Sequence, residues 1–263
     1  MKSHQVAIDG RAFTIVSDDL YLDWVGDDFE PDMVRLFKRL VRPEHFVVDV
    51  GANIGMTSLL FGMLAKEVMS FEASPSTFQF LKMNVLESGL GNVHIENVGL
   101  GSAHAATTIT MARNNRSGAF VSDGAAPLAG HASETIQITP LDHELLRRGR
   151  ADQKVDFIKL DVEGFEMEVL KGATDCLARH QPVVALEMNH WCLNAFRRVC
   201  IPDFFDFLRA TFPYVYAVDA DSSVRNLRDE GQAYEVMYQH IVKFRFGNVV
   251  AGFTPNLPSL LLD

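Results

Sequence analysis

The sequence lacks any run of about 20 uncharged apolar residues, the length a helix needs to cross a bilayer. Its longest apolar stretches, such as Leu59–Ala65, are short and contain Gly62. The opening residues, Met1-Lys2-Ser3-His4, carry no apolar segment of the kind that precedes a secretory cleavage site. No membrane span and a cytoplasmic location are the resulting expectations. Cysteine is scarce too. Cys176, Cys192 and Cys200 are odd in number and lack metal-ligand spacing, which argues against both a disulfide framework and a zinc site. Small buried thiols are the plain reading. Positive charge is also in deficit. The chain has 24 Lys and Arg against 34 Asp and Glu, a formal net charge of −10. Short pairs such as Arg147-Arg148 and Arg197-Arg198 fall well short of the basic footprint that phosphate binding requires. A nucleic-acid partner is therefore not expected.

What is present fits one large α/β unit. A chain of 263 residues buries roughly three quarters of its unfolded surface. Residues 5–16 alternate around Asp9-Gly10, a dipeptide suited to a tight hairpin turn. Asp28 and Pro31 then start a helix whose apolar residues Met33, Val34, Phe37, Leu40 and Val41 share a face, ended by Pro43. Residues 1–45 thus read as a hairpin and helix packed on a core domain, 46–263. In that core, short apolar strands are expected at Phe46–Val50, Val68–Phe71, Val93–Val98, Phe157–Leu160 and Val183–Leu186. Helical runs near 56–66, 76–88, 165–178 and 203–212 separate several of them, the pattern of a parallel sheet covered on both faces. Two last strands are expected at 214–219 and 240–246, with a polar insertion (221–235) between them. Residues 103–140 are too long for an ordinary connection and read as a functional insertion bearing strands at Thr107–Met111 and Thr135–Thr139.

Three places carry chemistry. In Val47-Val48-Asp49-Val50-Gly51-Ala52-Asn53-Ile54-Gly55, an apolar strand meets an acid, a glycine turn and a helix start. Such a turn lets backbone approach a ligand at the carboxyl end of a strand, and the helix N-terminus favours an anionic group. The spacing is not the G-x-G-x-x-G of a dinucleotide turn, so an amino-acid-bearing nucleoside fits better than phosphate. Glu72 ends the next strand, 21 positions after Gly51, where a carboxylate can accept from both ribose hydroxyls. The third place is Phe157-Ile158-Lys159-Leu160-Asp161-Val162-Glu163-Gly164-Phe165-Glu166. Asp161 should face the same crevice. Lys159 shares its pleat face and needs a partner if buried. Glu163 and Glu166 suit capping of the following helix.

Together these segments resemble the FkbM-type family of S-adenosylmethionine-dependent methyltransferases. The resemblance rests on VVDVGANIGMTSLLF, FEASP, NVGLGS and above all DFIKLDVEGFEMEVLKGA. It implies a three-layer α/β/α Rossmann-like sandwich around a mostly parallel seven-stranded sheet with one antiparallel strand. It also implies methyl transfer, commonly to an oxygen of a sugar or natural product. Carried onto this chain, Asp49, Gly51, Asn53 and Gly55 hold the methionine end of S-adenosylmethionine, Glu72 binds ribose, and Asn97 to Gly99 approach the adenine edge.

A hydroxyl acceptor is a weak nucleophile, so a base or a metal should assist. His190 or Asp161 is the expected base, and Asp161, Glu187 and Asn189 form an all-oxygen set compatible with Mg²⁺. The polar string Arg113–Gly118 reads either as an acceptor contact or as a surface loop. A small-molecule or carbohydrate acceptor is the expected partner, and a homo-oligomer is compatible with the sequence. Two other functions compete: an NAD-linked oxidoreductase, and an inactive cofactor-binding partner subunit.

Overall fold

The computed structural model describes residues 1–122 and 130–262. Strands β1 (Lys2–Ile8) and β2 (Arg11–Ser17) form an antiparallel hairpin. Its two turn residues, Asp9 and Gly10, both take positive φ (48° and 78°), the mirror-image turn that matches strand twist. Alternation buries Val6, Ile8, Phe13 and Ile15. Two helices follow, α1 (Tyr21–Trp24) and α2 (Pro31–Leu40), the second opened by Pro31 at its first position.

The core then runs β3 (Phe46–Val50), α3 (Met56–Leu64), β4 (Glu67–Phe71), α4 (Pro75–Ser88) and β5 (Val93–Glu96). A short β6 (Gly99–Leu100) leads into β7 (Ala105–Ala112), β8 (Asn115–Val121) and β9 (His131–Thr139). After these come α5 (Leu141–Arg147), β10 (Phe157–Leu160), α6 (Glu166–Lys171), α7 (Thr174–His180), β11 (Val183–Glu187), α8 (His190–Arg197) and α9 (Ile201–Thr211). The chain continues through β12 (Tyr214–Val218), β13 (Val224–Asn226), α10 (Glu230–Lys243), β14 (Asn248–Gly252) and α11 (Leu257–Leu262).

The main sheet has the order β13-β12-β14-β11-β10-β3-β4-β5. Strands β5, β4, β3, β10 and β11 are parallel, and β14 lies antiparallel between β11 and β12. One core packs Val48, Val50, Ile158 and Leu160 against α6, α7 and α9, while the other packs Val47, Val68 and Phe157 against α2 and α3. Successive strand residues thus bury on opposite faces, as the pleat requires. The result is a mixed α/β fold with helices on both faces. None of the described helices is long and apolar enough to cross a membrane.

Four expectations are corrected. The sheet has eight strands among the described residues, because β13 pairs antiparallel onto the edge of β12. Residues 240–246 are not a strand: α10 runs to Lys243, and the antiparallel strand comes later, at Asn248–Gly252. Here helical spacing wins, since Ala233, Val236 and His240 share one buried face. The Asp229 side chain caps the helix by accepting from the Gln232 N–H at 2.9 Å. The single helix expected at 165–178 is two, α6 and α7. Finally, in the region 103–140 the strands expected at Thr107–Met111 and Thr135–Thr139 fall within β7 and β9, but a third, β8, pairs with β7, and all three join β6 in a separate sheet of order β6-β9-β7-β8. Its β8 covers the Asn115–Gly118 part of the string first read as a contact or a loop. Residues 123–129 of that region lie outside the described residues.

Candidate active site

The carboxyl ends of β3, β4 and β10 meet around one turn. Gly51 has φ 77°, and a Cβ there would sit 1.8 Å from the Asp161 carbonyl oxygen. No side chain fits in that gap. The Gly51 and Ala52 N–H groups both donate to the Phe71 carbonyl at 3.0 Å, tying the turn to the end of β4. Asn53 also takes positive φ, 50°. Its N–H donates to Glu72 Oε2 at 2.9 Å, and the Ser74 N–H donates to Oε1 at 2.8 Å. Glu72 is buried, and that burial pushes its carboxyl up to about 7 despite the two N–H donors. Its remaining lone pairs are available to hydroxyl donors.

Three residues expected at the ligand, Asp49, Gly55 and Asn97, do not line the cleft. Asp49 is wholly buried behind the turn, on the pleat face of Val47, where it accepts from Ser58 Oγ at 2.7 Å. Its other oxygen faces Lys159 Nζ at 3.6 Å, and burial raises its pKa. Gly55 starts α3 with φ 103°, and a Cβ there would press on Leu81 at 2.8 Å. Its smallness therefore serves the packing of α3 on α4. Asn97 spends its amide hydrogens on the carbonyls of Glu72 (2.9 Å) and Ala73 (3.2 Å), whereas Gly99 does reach the cleft.

The sheet of β7, β8 and β9 roofs this turn. Ile109, Val121, Ile136 and Ile138 form its buried inner face, with Ala73, Ala119 and Phe165 packed alongside. Between roof and turn lies an open cleft, lined by Gly51, Asn53 and Glu72 of the turn and by Asp161 and Glu163 at its other end. Arg116 and Ser117 of β8 line it. The N-terminal segment pins that strand in place. Arg116 pairs with Asp18 at 2.5 Å, its N–H donates to Asp19 at 2.9 Å, and the Leu20 N–H donates to Asn114 O at 2.8 Å.

The far end of the cleft is acidic. Lys159, 4% exposed, donates to Gly51 O at 2.9 Å and stands 3.4 Å from Asp161. It therefore has the partners its burial demands. Asp161, Glu163 and Glu187 each offer an oxygen, and the three oxygens lie within 4.8 Å of one another. Asp161 and Glu187 share a hydrogen bond. Burial favours the neutral form of both, but the Lys159 ammonium overcomes it at Asp161, whose pKa falls. Burial and the Asp161 charge drive Glu187 well above the carboxylate range. The higher proton affinity of the pair therefore lies on Glu187 and the lower on Asp161. Two N-terminal residues, Tyr21 and Glu30, feel the Asp161 charge as well; burial raises both, and neighbouring acids add to it.

Asn189 does not join this oxygen set. Strand β11 ends at Glu187, so alternation stops there and Asn189 becomes the N-cap of α8. Its Oδ1 accepts from the Cys192 N–H at 3.2 Å, and its Nδ2 donates to Glu163 at 3.2 Å. Glu163, held at φ 50°, takes the third place instead and also accepts from Cys192 Sγ at 3.0 Å. An Asn directly before a helix is itself a cap signal; nothing local foretells positive φ at a glutamate. Glu166 accepts from the N–H groups of Val162 and Gly164, each at 3.2 Å, bracing the acidic turn. The His190 ring packs edge-on to His240, with centroids 4.9 Å apart, and lies near Phe244. It is not part of the cleft wall that holds Asp161.

Residues 49–218 match the family model described as the methyltransferase FkbM domain. A hexuronic acid methyltransferase of Haloferax volcanii is 31% identical over 148 residues, covering 56% of this chain and 58% of that relative. Methyltransferase 1 of Beauveria bassiana is 28% identical, covering 50% of this chain and 59% of its own length. The chain thus spans under three fifths of the length of these curated relatives. The crystal structure of methyltransferase FkbM from Methylobacillus flagellatus KT aligns with a TM-score of 0.43 at 18% identity, covering 69% of this chain and 46% of that one.

Proposed function

The chain belongs to the FkbM methyltransferase family, and from that premise we propose that it transfers a methyl group from S-adenosylmethionine to a hydroxyl oxygen of a sugar, glycoconjugate or natural product. One observation carries the reading: the Gly51–Glu72 cradle and the Asp161/Glu187 pair share one carboxyl edge of the sheet. The cradle suits the cofactor. Its backbone gap would be filled by any Cβ at Gly51, and Glu72 keeps acceptor capacity for a ribose. The relative named for hexuronic acid favours the sugar acceptor.

When bound, the cofactor supplies an electrophilic methyl group on its sulfonium. The chain's own work is to place the acceptor and take its proton. Asp161, ionised beside Lys159, accepts the acceptor hydroxyl's hydrogen bond and turns an oxygen lone pair toward the methyl. Placement of that kind is worth up to roughly 7–11 kcal/mol in intramolecular models. The proton passes into the carboxyl pair, which titrates as a unit. Once Glu187 has lost its own proton, the pair is a base with Glu187's raised affinity for one. Turnover therefore rises as pH climbs through that raised value. His190, turned toward His240, has no part in this step.

A divalent cation would need Asp161, Glu163 and Glu187, and there it would meet the Lys159 ammonium, 3.4 Å from Asp161. Chelator dialysis or added Mg²⁺ should change turnover by less than about twofold, measured as S-adenosylhomocysteine release; a loss of more than about tenfold, restored by Mg²⁺, would assign those carboxylates to a metal.

Glu72 gives a pH signature. Its folded pKa, about 7, lies above the unfolded value near 4.3. Between the two, the folded chain holds a proton that the unfolded chain has released. Its contribution to stability is thus largest below the unfolded value and declines as pH rises to about 7. Cofactor binding runs the other way, since ribose hydroxyls donate best to the ionised carboxylate. Calorimetry should show S-adenosylmethionine affinity rising severalfold from pH 6 to pH 8, with proton release at pH 6. Glu72→Gln should bind more than about tenfold more weakly and lose that slope. A flat profile in the unaltered protein would remove Glu72 from the ribose site. Parallel titration with NADH should show no binding; NADH binding in place of S-adenosylmethionine would replace methyl transfer by hydride transfer.

A further inference from the structure

A second cleft opens on the same edge of the sheet, and cofactor binding gives it no role. It lies between α2 and the ends of β12 and β14, lined among others by Glu30, Met33, Arg39, Asp219, Ser222 and Asn248. Strand register relates it to the chemistry. Asn248 pairs directly with Glu187 on one side and with Val218 on the other. The cleft's Asn248 therefore sits on the strand next to Glu187, in direct register with it. Glu30 provides a second link, since it lines this cleft and also lies close enough to Asp161 to feel its charge.

The backbone around the cleft is strained where it meets the lining. Glu30 and Ser222, neither of them glycine, take φ 30° and 65°. Strain of this kind gathers at binding positions. The charges along the wall are largely matched. Arg39 donates to Leu261 O at 3.0 Å, and Asp219 pairs with Arg245. What remains is a mixture of hydroxyl, amide and carboxylate groups beside the apolar Met33 and Leu36. That mixture suits a ring with hydroxyls on its edge and C–H groups on its face, and it offers little to a highly charged ligand.

We propose that this second cleft holds the non-reacting part of a hydroxyl-rich, sugar-like acceptor and presents its reacting hydroxyl to Asp161 and Glu187. The proposal rests on the O-methylation reading, and its test separates the two. Methyl glucoside and free glucuronate are titrated into the full chain saturated with S-adenosylhomocysteine, with backbone amide resonances followed by NMR. Saturable shifts at Met33, Ser222 and Asn248 are expected with at least one probe. Shifts confined to β7–β9, or none, would overturn the proposal. In turnover with a hydroxylated acceptor, Met33→Trp and Asn248→Ala should each raise acceptor KM at least about tenfold. Cofactor Kd should stay within about twofold and kcat within about threefold. An unchanged KM in both overturns the proposal while leaving O-methylation standing. If Met33→Trp fails to fold, Asn248→Ala alone decides. Saturable shifts in a chain that binds S-adenosylmethionine but methylates no hydroxylated compound would keep the sugar site and discard the O-methylation reading.

Discussion

Gly51→Ala should weaken S-adenosylmethionine binding by at least about 100-fold, the larger of two effects expected to dominate this protein's mutational behaviour. Two costs combine. A left-handed alanine costs about 1–2 kcal/mol, and the new methyl would lie 1.8 Å from the Asp161 carbonyl oxygen. That oxygen is backbone at the end of a buried strand, so relief requires β3 and β10 to separate. Separation would break the Lys159 contact to Gly51 O, at 2.9 Å, and move Asp161 out of place. Since about 1.4 kcal/mol is a factor of ten, a few kcal/mol of misplacement gives the stated loss. The melting temperature should fall as well, by on the order of 10 °C. Calorimetry and thermal denaturation read the two effects separately. Wild-type affinity in the folded variant would show that the cofactor does not use this turn.

Asp161→Asn should cut kcat by about 10²–10⁴, the span a general base supplies, while cofactor Kd changes by less than about threefold. Asparagine keeps the shape of aspartate but cannot take the proton. Glu187→Gln should lower kcat less and abolish the alkaline rise of the pH–rate profile, because the proton-sharing pair is gone and only Asp161, held low by Lys159, remains. His190→Ala should stay within about threefold of the unaltered enzyme. If His190→Ala loses the larger factor and Asp161→Asn does not, the base is the histidine and the carboxyl pair is only structural. Steady-state S-adenosylhomocysteine release from pH 6 to pH 9 distinguishes these outcomes.

The parts of the site that were legible in the sequence are those fixed within one βα unit. Gly51, Asn53 and Glu72 converge because a strand, a tight turn and the next strand end are covalently close, and their spacing carries the geometry. The demand of buried Lys159 for partners was legible from charge alone. Contacts between distant segments were not. Asp49 follows strict pleat alternation to the face packed by α3, yet only the packed structure shows its oxygens taken up by Ser58 and Lys159. Asn189 was misplaced because alternation was carried two residues beyond the end of β11. Arg116 and Glu30 reach the crevice only through tertiary docking of the β7–β9 sheet and the N-terminal segment, for which the sequence offers no period. The helix at 230–243 was hidden because Tyr234, Tyr238, Ile241 and Val242 put aromatic and apolar residues on its exposed face as well, although Ala233, Val236 and His240 keep the helical interval.

The most direct test of the central claim is one labelled-product experiment. The full chain is incubated with S-adenosylmethionine carrying an isotopically labelled methyl and with a panel of sugars and glycosides, and the product is identified by mass spectrometry and NMR. The account predicts a labelled methyl ether on a hydroxyl oxygen, formed with equimolar S-adenosylhomocysteine and nearly absent with Asp161→Asn. Label appearing on nitrogen or carbon, or an ether that forms as fast with Asp161→Asn, would contradict it.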